Sequence, residues 1–216
     1  MTSTPSWPRR RVLAAIALVA ALTALAAGPA DAQLRKTNPD VGDGEIRSTP
    51  YRYASEEGQF QVTWPSGCGE LKIRANDADP FAEGEEAEIV LVQHVSCDQY
   101  GVEGEGCSVT ASLDVRDRQG RPAGPAHVVS RVRKVLEAAG VKLVRQQAIK
   151  KEYPDGLKVE GLEVFGTAAD GSGQFWVRGL LVYHDIYILS GWSARGDLWD
   201  NPEFQTFFNE FVPYTE

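Results

Sequence analysis

The sequence is short of the residues that carry most metal and nucleophilic chemistry, with three cysteines and three histidines in 216 residues. His94, His127 and His184 stand far apart, so the close ligand spacing of a zinc site is missing. No glycine-rich loop of phosphate-binding spacing occurs, and no cofactor is expected. The stretch Gly191-Trp-Ser193-Ala-Arg195 approaches the G-x-S-x-G elbow of serine hydrolases but lacks its last glycine, and Ser172 falls in an expected hairpin turn. No catalytic residue is assigned. There is no basic run and the formal charge is -8, which argues against nucleic-acid binding and against a polybasic membrane anchor. Beyond residue 32 no apolar run approaches the ~20 residues of a spanning helix, so no membrane span is expected in the mature chain. Met1 is the sole methionine, a scarcity that fits a composition in which arginine far outnumbers lysine.

What is present begins with the pattern of an export signal. Arg9, Arg10 and Arg11 precede an apolar run from Val12 to Ala27, followed by Gly28-Pro29 and the small-x-small box Ala30-Asp31-Ala32. Residues 1–32 are read as a cleavable signal peptide, residues 33–58 as a flexible N-terminal segment, and residues 59–216 as one domain. The organisation looks bacterial, and the destination is periplasmic or secreted. Arg9 to Leu13 resembles a twin-arginine signal, although three arginines serve equally as an ordinary positive start. The leader carries +2, so the mature charge is the chain's -8 less that, or -10.

All three cysteines lie after the leader, and an oxidising compartment permits a bridge. Cys97 and Cys107 bracket an expected turn between two strands, and a disulfide between them would stabilise by about 2–3 kcal/mol in the chain-entropy picture. Pairing of Cys68 with either of them is the alternative. The remaining thiol is expected to be a buried apolar residue, because no cationic neighbour is adjacent in sequence to activate it.

Alternation of apolar and polar residues predicts strands at Phe60–Trp64, 71–75 and 109–115, and the apolar run 89–92 predicts a strand covered on both faces. Val128, Val132, Val135, Leu136 and Ala139 fall at helical spacing, with Arg131, Arg133 and Lys134 mostly off the stripe and Gly140 as the cap. Strands resume at 141–149, 157–167, Gln174–Val182 and 186–192, with turns at Asp170-Gly171 and His184-Asp185. Asn201-Pro202 then starts a helix whose Phe204, Phe207, Phe208 and Phe211 share one face. Core packing is the favoured reading of that face, since a short terminal helix needs tertiary burial to form. A partner-binding stripe is the rival. Together these elements give an α+β protein with a single antiparallel β-sheet flanked by a mid-chain helix and a C-terminal helix.

The acidic stretch Asn76 to Glu88 is dense in carboxylates. Laid on the twelve-residue calcium loop, Asp77, Asp79 and Glu88 take positions one, three and twelve, with Glu83 between them. Phe81 and Ala82 break the fit, so a solvated acidic loop is the plainer reading, and a weak divalent-cation site is retained as an alternative.

The element order resembles the PsbP-type family, named for an extrinsic subunit of the photosystem II oxygen-evolving complex. The stretch Arg178-Gly-Leu-Leu-Val-Tyr183-His-Asp-Ile-Tyr187-Ile-Leu-Ser-Gly-Trp192 is similar to the paired strands before that family's last helix. Phe207-Phe208-Asn-Glu-Phe211 sits where that helix carries aromatics. The likeness spans residues 59–213 in element order and texture, and it carries over no site residue. It implies a non-enzymatic role. The expectation is therefore non-catalytic binding or assembly in the envelope, with an envelope protein or small ligand as partner. The alternatives are an envelope hydrolase with a Cys or Ser nucleophile beside a histidine, or the divalent-cation binder.

Overall fold

The computed structural model describes residues 49–68, 71–76, 91–97, 104–117, 119–153 and 156–213. Ten strands and two helices are seen among them, with strand the dominant element. β1 (Tyr51–Ser55), β2 (Phe60–Trp64) and the short β10 (Val212–Pro213) form a three-stranded sheet in the order β1-β2-β10. A seven-stranded sheet holds β3 (Lys72–Asn76), β4 (Leu91–Cys97), β5 (Glu105–Leu113), β6 (Val141–Glu152), β7 (Lys158–Ala168), β8 (Gln174–Val182) and β9 (Asp185–Ser193). Its order is β3-β4-β5-β9-β8-β7-β6, antiparallel throughout.

Two sheets replace the single one expected from sequence. Alternation reports that a strand buries one face, but it does not report which sheet holds the strand. The inward residues of β1 and β2, Tyr51, Tyr53, Phe60, Val62 and Trp64, pack onto one face of the large sheet with Cys97, Val109, Trp176 and Leu189. Burial there recruits part of the segment read as flexible, so the folded region starts ahead of residue 59.

The other face of the large sheet takes α1 (Pro125–Ala138). Val128 and Val132 lie against Val164, Val177, Ile186 and Ile188. Gly179 makes this approach possible, because a Cβ there would come within 2.6 Å of both Val128 Cγ1 and Val132 Cγ2. Gly124 N donates to His127 Nδ1 at 3.0 Å and closes the first turn, while Gly140 ends the helix at φ +62°. Arg131, expected off the apolar stripe, is instead buried.

The second helix, α2 (Pro202–Asn209), begins as the sequence indicates. Asn201 caps it by accepting from Glu203 N at 2.9 Å, and Pro202 occupies the first turn. Phe204, Phe207, Phe208 and Phe211 are all buried, so the aromatic face is core rather than an exposed stripe. Phe208 stacks on Trp176 with centroids 4.1 Å apart, and Phe211 stacks on Phe60 at 5.8 Å. The strand expected to be covered on both faces is β4, second from the sheet edge, with residues 89–90 outside the described residues. Its inward face includes the polar Gln93, whose Nε2 donates to Glu57 at 3.2 Å and whose Oε1 accepts from Ser55, tying the two sheets together.

Candidate functional site

Cys68 and Cys97 are joined by a disulfide, with Cα atoms 5.7 Å apart. This corrects the expected Cys97–Cys107 bridge. Cys107 is buried outside the bond, directly across from Cys97 in the β4–β5 register. Sequence spacing favours the shorter loop, yet it cannot see the β2–β3 connection return over the end of β4. That return is anchored by Ser66, whose N and Oγ donate to the Glu203 carboxylate at 2.8–2.9 Å. All three cysteines are at most 1% exposed.

A second polar group enters the core between β7 and α2. Glu163 lies in phase with Val159 and Phe165, and the Arg178 opposite it lies in phase with Trp176 and Leu180. The Glu163 carboxylate accepts from Trp176 Nε1 at 2.9 Å, from Arg178 Nε at 2.8 Å, and from Gln147 Nε2. Arg178 continues to the Phe208 carbonyl and to Asn209 Oδ1 at the end of α2. Arg145 covers the neighbouring Phe165 ring at 4.0 Å. The network was missed from sequence, although a charge inside the apolar phase of each strand was a readable signal.

A third cluster forms where β5 meets β9. Ser193 Oγ lies 3.1 Å from Glu105 Oε1 and 3.1 Å from Asp197 Oδ1, and Arg195 Nε donates to Glu105 at 3.0 Å. Glu105 Oε1 therefore accepts from both the Ser193 hydroxyl and the Arg195 guanidinium. Desolvation raises the Glu105 carboxyl above the ordinary glutamate value and outweighs the opposing pull of Arg195 and Ser193.

The hydrolase alternative needs Cys68 or a serine beside a histidine. Cys68 is bonded to Cys97, and the Ser193 contacts just described are to carboxylates. Ser172 Oγ donates to Asp170 in the expected hairpin turn. His94 Nδ1 shares a hydrogen bond with Thr110 Oγ1 at 2.8 Å. The turn placed at His184-Asp185 sits one residue earlier, on Tyr183-His184, with Tyr183 in the left-handed region at φ +52° and Asp185 opening β9. Asp77, Asp79, Glu83 and Glu88 lie outside the described residues. Among the described residues, no group of three His, Cys, Asp or Glu side chains is placed to hold a metal.

Among the described residues, β6, the last strand of the large sheet, is exposed along most of its length and pairs with β7 on one side. Lys142 through Ala148 and Lys150 through Glu152 are exposed, and Leu143 and Val144 are 51% and 55% exposed. The strand carries Lys142, Arg145, Lys150 and Lys151 against one carboxylate, Glu152, in a chain of net charge -8.

The described structure is thus an α+β protein built from two packed antiparallel sheets, and among the described residues no helix is long and apolar enough to cross a membrane. No family model and no curated protein matches the chain. Among solved structures, it is similar to a protein of unknown function from Pseudomonas aeruginosa described as a putative regulator. Identity is 17%, with 78% of this chain and 99% of that one covered, at a TM-score of 0.34.

Proposed function

We propose that the protein is exported to the bacterial envelope and acts there as a non-catalytic binding or assembly module, taking an extended acidic segment of a partner protein along β6. The observation that carries this reading is the twelve-residue β6 edge, exposed along most of its length. Strand addition to such an edge supplies main-chain hydrogen bonds for affinity, while alternate side chains supply selectivity. Lysines on an edge strand ordinarily discourage self-association. Two copies of β6 paired antiparallel about Gln146 and Gln147 would set Lys142 against Lys151, and like charges directly opposite are destabilising. An acidic strand reverses the sign of that interaction. The leader pattern and a disulfide agree with an oxidising compartment. The resemblance in element order to PsbP-type proteins, mostly binding or assembly proteins, points the same way.

The test uses a labelled peptide alternating glutamate with valine, and its lysine–valine counterpart, in fluorescence anisotropy with hydrogen exchange read on the protein. The acidic peptide is expected to bind, to slow exchange across residues 141–152, and to weaken with added salt. Binding is expected to be lost in a Lys142→Glu/Lys150→Glu variant. Equal binding of both peptides, no binding, or protection elsewhere in the fold overturns the reading.

A further inference from the structure

We propose that Cys97 exchanges disulfide partners, passing between Cys68 and Cys107, so that the β2–β3 connection is alternately stapled to the large sheet and released from it.

The geometry brings both partners to the same sulfur. Cys68 and Cys97 have Cα atoms 5.7 Å apart. Cys97 and Cys107 are direct cross-strand partners in an antiparallel ladder, where opposed Cα atoms lie roughly 4.5–5.5 Å apart. Both separations fall inside the disulfide range of about 4.4–6.8 Å. Opposed residues also project to the same side of the sheet, and all three cysteines belong to one buried cluster.

The step is an internal thiol–disulfide exchange. The Cys107 thiolate attacks Cys97 Sγ, the Cys97–Cys107 bond forms as the Cys68–Cys97 bond breaks, and Cys68 leaves as a thiolate. It then takes up the proton that Cys107 gave. One disulfide and one thiol stand on each side, so no outside oxidant or reductant is consumed.

The two states differ in what they restrain. Cys97–Cys107 links neighbouring strands that the ladder already holds together. Cys68–Cys97 fastens the chain between β2 of the small sheet and β3 of the large one onto β4. Once released, that connection keeps the Ser66–Glu203 hydrogen bonds but loses its only covalent tie among the described residues. The described residues affected are 65–68 and 71–76, including edge strand β3.

The test maps disulfides in the intact protein by acid quench, alkylation and non-reducing digestion after incubation with a trace of glutathione at mildly alkaline pH. Both the Cys68–Cys97 and the Cys97–Cys107 linked peptides are expected from the native chain, and the Cys68–Cys97 peptide alone from Cys107→Ser. In Cys68→Ser the Cys97–Cys107 bridge is expected, together with faster hydrogen exchange across 65–68 and 71–76 and unchanged exchange in β7 and β8. The proposal is overturned if Cys68→Ser yields two alkylated thiols per chain. It is equally overturned if the native chain yields the Cys68–Cys97 peptide alone.

Discussion

Arg178 donates through Nε to the Glu163 carboxylate at 2.8 Å from directly across the β7–β8 ladder, and the same guanidinium reaches the Phe208 carbonyl beyond it. One ion pair therefore fastens the C-terminal end of α2 to the large sheet. Truncating Glu163 leaves the guanidinium mostly buried against Trp176 and Phe208 without its carboxylate. Glu163→Ala is expected to destabilise by about 3 kcal/mol, with Glu163→Gln milder because an amide oxygen still accepts. Urea unfolding of the three proteins measures the order.

Packing of the two helices predicts separable losses. Phe208→Ala removes the ring stacked on Trp176 and is expected to cost about 3–5 kcal/mol. Gly179→Val forces a side chain into Val128 and Val132, with an expected cost of about 1–3 kcal/mol from overpacking. The sites lie on opposite faces of the sheet, so the double variant is expected to show near-additive losses in thermal unfolding.

The Glu105 carboxyl gives a pH signature of definite sign. Its folded value is raised above the ordinary 4.5, so the folded protein holds this proton more tightly than the unfolded chain. The stability it contributes is present below that value and is lost as pH rises from 4.5 through the raised value. Glu105→Gln, which mimics the neutral acid beside Ser193, cannot lose it. The stability of the variant relative to the native protein is expected to improve as pH increases through this window. Melting temperatures in a pH series read the trend directly. A difference that stays flat would mean that Arg195 fully offsets the burial.

Loss of Cys97 removes the observed bridge to Cys68 and the proposed one to Cys107. Cys97→Ser is expected to destabilise by about 3–4 kcal/mol through the freed loop between Cys68 and Cys97. Cys68→Ser is expected to cost less, because Cys107 then takes the bond. Denaturant midpoints under non-reducing conditions rank the two.

Much of the local structure was legible. Asn201-Pro202 marks a helix start because a side-chain oxygen and a fixed φ answer a need confined to a single turn. Gly140 and Gly171 mark chain reversals because both hold positive φ, +62° and +76°. The bounds of β8, Gln174–Val182, follow from alternation between two turns. Glu163 and Arg178 were legible only as exceptions, since a charge within the apolar phase of each strand does not reveal that the two face one another.

By itself the sequence determined the identity of most strands, both helices and which face of each is apolar, because those properties depend on periodicities within a few residues. Only the tertiary structure decided that β1, β2 and β10 leave the main sheet to cover it, that Cys97 bonds Cys68, and that Ser193 sits between two carboxylates. Each of those depends on distances between segments far apart in the chain, set by how the two sheets bury their apolar faces against one another.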